Sequence, residues 1–200
     1  MNRLNKRLSS YLLFLLMTVL FIGCGGNDYS PKPRSYFRIA LPEKHYRLLD
    51  SIYPYTFEYP QYAMIRADEN SKKDSYWINI DFPEYRGTLH ISYKQVLTDS
   101  SLYQCFEDSR NFANKHIAKA NSIDPIPISN DANSVYGVIY DISGVGVAST
   151  YQFAVTDSVK HFMRGALYFN VAPNNDSLMP VIDYIKKDID HLIQTLKWKK

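Results

Sequence analysis

Residues 134–171 constrain the fold most. They hold three β-rich runs, "SVYGVIYDI" (134–142), "ASTYQFAVT" (148–156) and "HFMRGALYFNV" (161–171), joined by "SGVG" and "DSVK". A parallel crossover needs a dozen or more residues, whereas turn-rich connections this short join antiparallel neighbours. The runs therefore predict an antiparallel meander. Gly144-Val145-Gly146 lacks the third glycine and the following helix of a dinucleotide loop, and reads as a hairpin turn.

The remaining pattern is compatible with the same sheet. "YPYTFEY" (53–59) is a strand with Pro54 at its start or edge. Residues 62–66 form a short apolar run, and "ADENSKKD" (67–74) is polar and turn-rich. "YWINIDF" (76–82) and "TLHISYK" (88–94) predict a hairpin. The second alternates cleanly, with Leu89, Ile91 and Tyr93 on one face and Thr88, His90, Ser92 and Lys94 on the other.

Two helices complete the reading. Asp99 or Ser100 caps a helix running to about Asn121, with Leu102, Phe106, Ala113, Ile117 and Ala120 near one stripe. The prolines of "IDPIPIS" stop it. The second is capped by Asp176 or Ser177, carries Pro180 in its first turn, and has an apolar stripe of Leu178, Ile182, Ile185, Ile189, Leu192, Ile193 and Leu196. Lys186, Lys187, Asp188, Asp190 and Gln194 mostly take the wet side. The fold class is α+β: an antiparallel sheet with two main amphipathic helices.

The N-terminus reads as a lipoprotein signal. "MNRLNKR" is a basic n-region, and the apolar core from Tyr11 to Ile22 is too short to span a bilayer. Gly23 before Cys24 fits a lipobox, which makes Cys24 the lipidation site. Phe21 stands where such sites usually hold Leu. Residues 1–23 are then a signal peptide, 24–35 a lipidated tether and 36–200 one domain. Several acyl chains anchor firmly where one is marginal. Gly25 is not the acid associated with inner-membrane retention, and no acidic run follows Cys24, so the expected site is the outer membrane, facing the periplasm.

Charge and chemistry exclude several classes. The chain has 23 Lys/Arg and 20 Asp/Glu, but Arg3, Lys6 and Arg7 belong to the signal. The mature chain is formally neutral, which argues against nucleic acid as a partner. The histidines 45, 90, 116, 161 and 191 show no metal-ligand spacing. No nucleophile elbow occurs. No cofactor, metal or catalytic residue is assigned, and the chain reads as a non-enzyme. Cys105 reads as a small buried apolar residue. Twelve of the 17 tyrosines fall within the first 103 residues. Tyrosine suits half-buried sheet and also docking surfaces.

"YSPKPRSYFRIALPEKHY" (29–46) is the most specific stretch. Pro31 and Pro33 favour an extended tether. "YFRIAL" alternates, and Phe37, Ile39 and Leu41 are expected to dock on the body while Arg34, Arg38 and Lys44 pair with its acids or face a partner. Arg34, Tyr36, Phe37, Arg38, Ile39 and Leu41 thus make a candidate docking or partner segment.

This stretch resembles the N-terminal signature of the gliding-motility lipoprotein GldD family of the Bacteroidota. Tyr29, Pro31, Lys32, Pro33, Arg34, Tyr36, Phe37, Arg38, Ile39, Leu41, Pro42, Glu43, Lys44 and Tyr46 carry the match. Ser35 and Ala40 depart from it, since the family often has glycine and an acid there. The resemblance implies a lipid-anchored envelope protein whose partners are the membrane and other components of gliding and type IX secretion, without catalytic residues. The layout also looks like PsbP or Mog1-type folds, an analogy that speaks to fold alone. A ligand-binding lipoprotein with an aromatic pocket for a glycan, peptide or lipid is the alternative; a pocket with convergent polar groups would favour it.

Overall fold

The structure is a computed structural model that describes Tyr11, residues 39–68 and residues 76–199. It divides into two units, Met1–Ser35 and Tyr36–Lys200. Tyr11, the described residue of the first unit, is helical and exposed. The signal, lipobox and tether otherwise lie outside the described residues. Among those described, no helix is long and apolar enough to cross a membrane.

The second unit is an α+β domain with two antiparallel sheets. The larger uses β3 (Met64–Ala67), β4 (Ile78–Phe82), β5 (Gly87–Gln95), β6 (Ser122–Asn130), β7 (Val135–Ser143), β8 (Tyr151–Thr156) and β9 (His161–Phe169). Its spatial order is β3-β4-β5-β9-β8-β7-β6. The smaller sheet has β2 (Tyr55–Pro60) between β1 (Tyr46–Leu49) and β10 (Lys197–Trp198). Helix α1 spans Asp99–Asn114 and α2 spans Asn175–Thr195.

The predicted meander is β7-β8-β9, and the predicted hairpin is β4-β5, with Ile80 opposite Leu89. Asp157 closes the β8–β9 turn by accepting from the backbone N–H groups of Val159, Lys160 and His161. Those bonds hold its pKa low against the upward push of burial.

The sheet faces differ. Leu89, Ile91, Phe153, Val155, Met163 and Leu167 face a large core closed by Ile185, Ile189 and Leu192 of α2. On the other face α1 covers only part: Cys105 packs with Val96, Ala154 and Phe162. Gly165 is required on the core face, because an added Cβ would lie 2.1 Å from the Phe153 ring.

Four expectations change. Helix α1 ends at Asn114, followed by turns through Lys119, and Ile117 is exposed. Its cap is Thr98, whose hydroxyl accepts from the Ser101 N–H in a reciprocal capping box. Helix α2 begins at Asn175 after an N-cap at Asn174 rather than at Asp176 or Ser177, so Pro180 lies inside it. "IDPIPIS" is not a stop but part of β6, an edge strand. The ladder runs through Pro125 and Pro127, whose missing N–H groups point outward where no strand needs them.

Candidate functional site

The segment leading into β1 is bolted to α2. Tyr184, Asp188 and His191 recur at helical spacing, so they form one stripe along α2 beside its apolar face. Asp188 is 2% exposed, which overturns its placement on the wet side. Its Oδ1 accepts from Lys44 Nζ at 2.6 Å and from the Tyr46 hydroxyl at 2.9 Å, while the Tyr62 hydroxyl donates to Oδ2. Lys44 also donates to the Tyr184 carbonyl at 2.8 Å and sits 3.5 Å from that ring's centroid. Burial lowers the Lys44 pKa, opposed by the hydrogen bond to Asp188. A buried carboxylate with three donors, one of them a cation, is satisfied; without them it would be costly.

Tyrosine hydroxyls tie down the same segment. Tyr184 donates to the Pro42 carbonyl at 2.6 Å and Tyr85 to the Ala40 carbonyl at 3.3 Å. Tyr62 lies against the rings of Phe82, Tyr85 and Tyr184. Tyr46 stacks on His191, which contacts Glu58. Much of the tyrosine richness is therefore internal tethering.

The lipidation residue Cys24 and, of the proposed docking residues, Arg34, Tyr36, Phe37 and Arg38 lie outside the described residues. Ile39 packs on the large core. Leu41 does not dock: it is 39% exposed. The chain at 40–42 is held by its carbonyls and by Lys44, which frees the Leu41 side chain from any register of alternation.

A second site lies where α1 leaves the sheet open. Asn79, His90, Ser92 and Arg164 stand on this face at matched positions of β4, β5 and β9. His90, Ser92 and Arg164, with Trp77 and Phe112, border a groove of about 370 Å³, and a further 190 Å³ continues toward Cys105 and Asp108. Arg164 donates to Gln152 Oε1 at 2.7 Å and lies 4.7 Å from the Phe112 ring centroid. Burial lowers its pKa, yet a guanidinium remains charged. Its Nε and the Gln152 Nε2 are buried donors with no acceptor among the described residues. His90 sets its Nδ1 against Asn79 Oδ1 at 2.6 Å, and partial loss of water lowers its pKa. The Ser109 and Ser92 hydroxyls donate to backbone carbonyls, of Cys105 and Arg164. The arrangement suits binding of a charged group more than nucleophilic attack.

A third cleft, about 330 Å³, separates β6 from α2 and is mainly apolar, with the Tyr151 hydroxyl donating to Asp190. Among the described residues no cluster of three His, Cys, Asp or Glu side chains could hold a metal.

The family model for the gliding motility lipoprotein GldD matches residues 26–198. The chain belongs to the GldD family. The match takes in the clamped segment, both sheets and both helices. No curated protein matches the sequence significantly. The solution structure of cyanobacterial PsbP (CyanoP) from Synechocystis sp. PCC 6803 is similar, with a TM-score of 0.49 at 13% identity, covering 84% of this chain and 99% of that one. Membership of GldD gives the chain a role in gliding motility as an envelope lipoprotein.

Proposed function

We propose that this GldD protein is anchored to the outer membrane through lipidated Cys24, faces the periplasm, and supports assembly or stability of the gliding and type IX secretion machinery by protein contacts. Residues 24–35 act as the tether and residues 36–200 as the working body. The observation that carries the reading is the aromatic display on the α1 side: Trp77, Tyr103, Phe112 and Tyr168 are all at least a third exposed, and Tyr103 is 68% exposed. Aromatic side chains in such positions are the usual anchors of protein interfaces. Tyr103 projects away from the α1 face that packs on the sheet, so its size serves no internal packing.

The test is a chromosomal Tyr103→Glu variant beside a Cys24→Ala variant and a clean deletion. Tyr103→Glu is expected to keep normal protein levels and lipid labelling while reducing secretion of type IX cargo and spreading. Cys24→Ala is expected to lose lipid labelling. Normal secretion in the clean deletion would sink the reading.

A further inference from the structure

We propose that the groove between α1 and the open face of β4, β5 and β9 binds a carboxylate monoanion carried on an apolar or aromatic body, with Arg164 as its counter-charge. This site does not depend on the assembly role. Three observations converge on it. Arg164 is a largely desolvated cation that makes no salt bridge with any described carboxylate, and a buried charge without a counterion is costly. The described face from which a counterion can reach it is the groove it lines. Beside it, Gln152 is 1% exposed, spends its carbonyl on Arg164 and keeps amide donors without acceptors. The guanidinium fork of Arg164, which lines the groove, matches the two oxygens of a carboxylate.

The walls set the ligand's body. Phe112 already lies on the guanidinium, and Trp77 borders the same space while its indole N–H is spent on the Tyr93 carbonyl. Both rings therefore offer apolar faces rather than hydrogen bonds, so the ligand's charge and its apolar part must be adjacent. The volume falls in the range of small-molecule sites. The other charged groups around the space are Lys94, Asp68 and Asp108. Two acids against one added cation disfavour a phosphate dianion or a polyanion. His90 supplies no fixed positive charge because partial burial favours the neutral ring, and Tyr93 and Cys105, which border the same space, carry none in their protonated forms.

The test uses the full chain in detergent, with Trp198→Phe so that Trp77 is the one fluorescent indole of the two tryptophans. N-acetyl-phenylalanine is titrated against N-acetyl-phenylalanine amide and phenyl phosphate. The carboxylate is expected to give a saturable change in Trp77 emission, with both comparison compounds at least about tenfold weaker. Arg164→Gln is expected to weaken binding about tenfold or more at an unchanged melting temperature. Should that variant unfold, Phe112→Ala decides, because its ring is partly exposed and borders the groove. Equal binding of the amide, equal or tighter binding of phenyl phosphate, no saturation by on the order of 10 mM, or unchanged affinity in Phe112→Ala would each overturn the proposal.

Discussion

Asp188 shows how one side chain can be placed correctly by spacing and misread by type. It lies three residues after Ile185 and four before Leu192, so the helical period sets it beside the buried stripe. A carboxylate there looks wet until its partners are known, and those partners come from 126 to 144 residues away. No local pattern contains that pairing. Lys44 was legible as a cation that pairs with an acid of the body or faces a partner, but neither the choice nor the identity of the acid was. Replacing Asp188 with Ala should take the acceptor from the Lys44 ammonium and from the Tyr46 and Tyr62 hydroxyls. The expected loss is about 3 kcal/mol of unfolding free energy, read by urea denaturation. Asp188→Asn should lose less, since its carbonyl still accepts.

His161 makes the pH argument at the same scale. Its Nδ1 is 2.6 Å from the Tyr93 hydroxyl, and its buried Nε2 has no partner among the described residues. Burial pushes the Tyr93 pKa up to about 12, so the phenol stays protonated beside the imidazole, and the His161 tautomer sets which of the two donates. Burial lowers the His161 pKa below its ordinary 6.5, outweighing the upward pull of Asp157. His90 and His116 shift in the same direction. Below pH 6.5 the unfolded chain gains protons that the folded chain does not, so stability falls with acidification. Each such histidine contributes a slope of up to about 1.4 kcal/mol per pH unit. Melting temperature should therefore drop between pH 7 and pH 5, and His161→Phe should flatten part of that slope. A melting temperature independent of pH across this range would contradict the neutral, buried ring.

At the scale of elements, alternation and turn chemistry gave the meander and the β4–β5 hairpin because each is local. The errors arose where a residue has two uses. Proline reads as a helix stop, and it does follow α1, but at alternate positions it also fits an edge strand, removing only outward donors. Pro125 and Pro127 leave the outer side of β6 with fewer groups for another strand to pair. Changing both to Thr should leave the stability within about 1 kcal/mol while raising self-association, measured by light scattering on eluting protein. A monomeric variant would show that the prolines do not guard that edge. The groove was illegible for a different reason. Nothing in the sequence of β9 sets Arg164 apart, and it is the partial cover by α1 that leaves it largely desolvated at the edge of the groove.

For the whole molecule, the α+β class and two-helix layout followed from the order of patterns, but the second sheet did not. Its strands β1 and β10 are too short to carry a period, and β2 joins them only in space. Lys197 pairs with Thr56 and Trp198 with Tyr55, and the Trp198 ring stacks on His161 at 5.1 Å. A chain ending at residue 196 should lose about 3 kcal/mol, chiefly from the missing indole packing, as read from its urea midpoint. A loss below about 1 kcal/mol would make β10 incidental.

The position of β2 also bears on timing. Its two neighbours are drawn from residues 46–49 and 197–198, so the small sheet cannot close until nearly the whole of this sequence has left the ribosome. Closing so long a loop is slow compared with forming local hairpins. A nascent chain built this way stays incompletely folded while it is being made, which is the condition a polypeptide must meet to be threaded through a translocation channel.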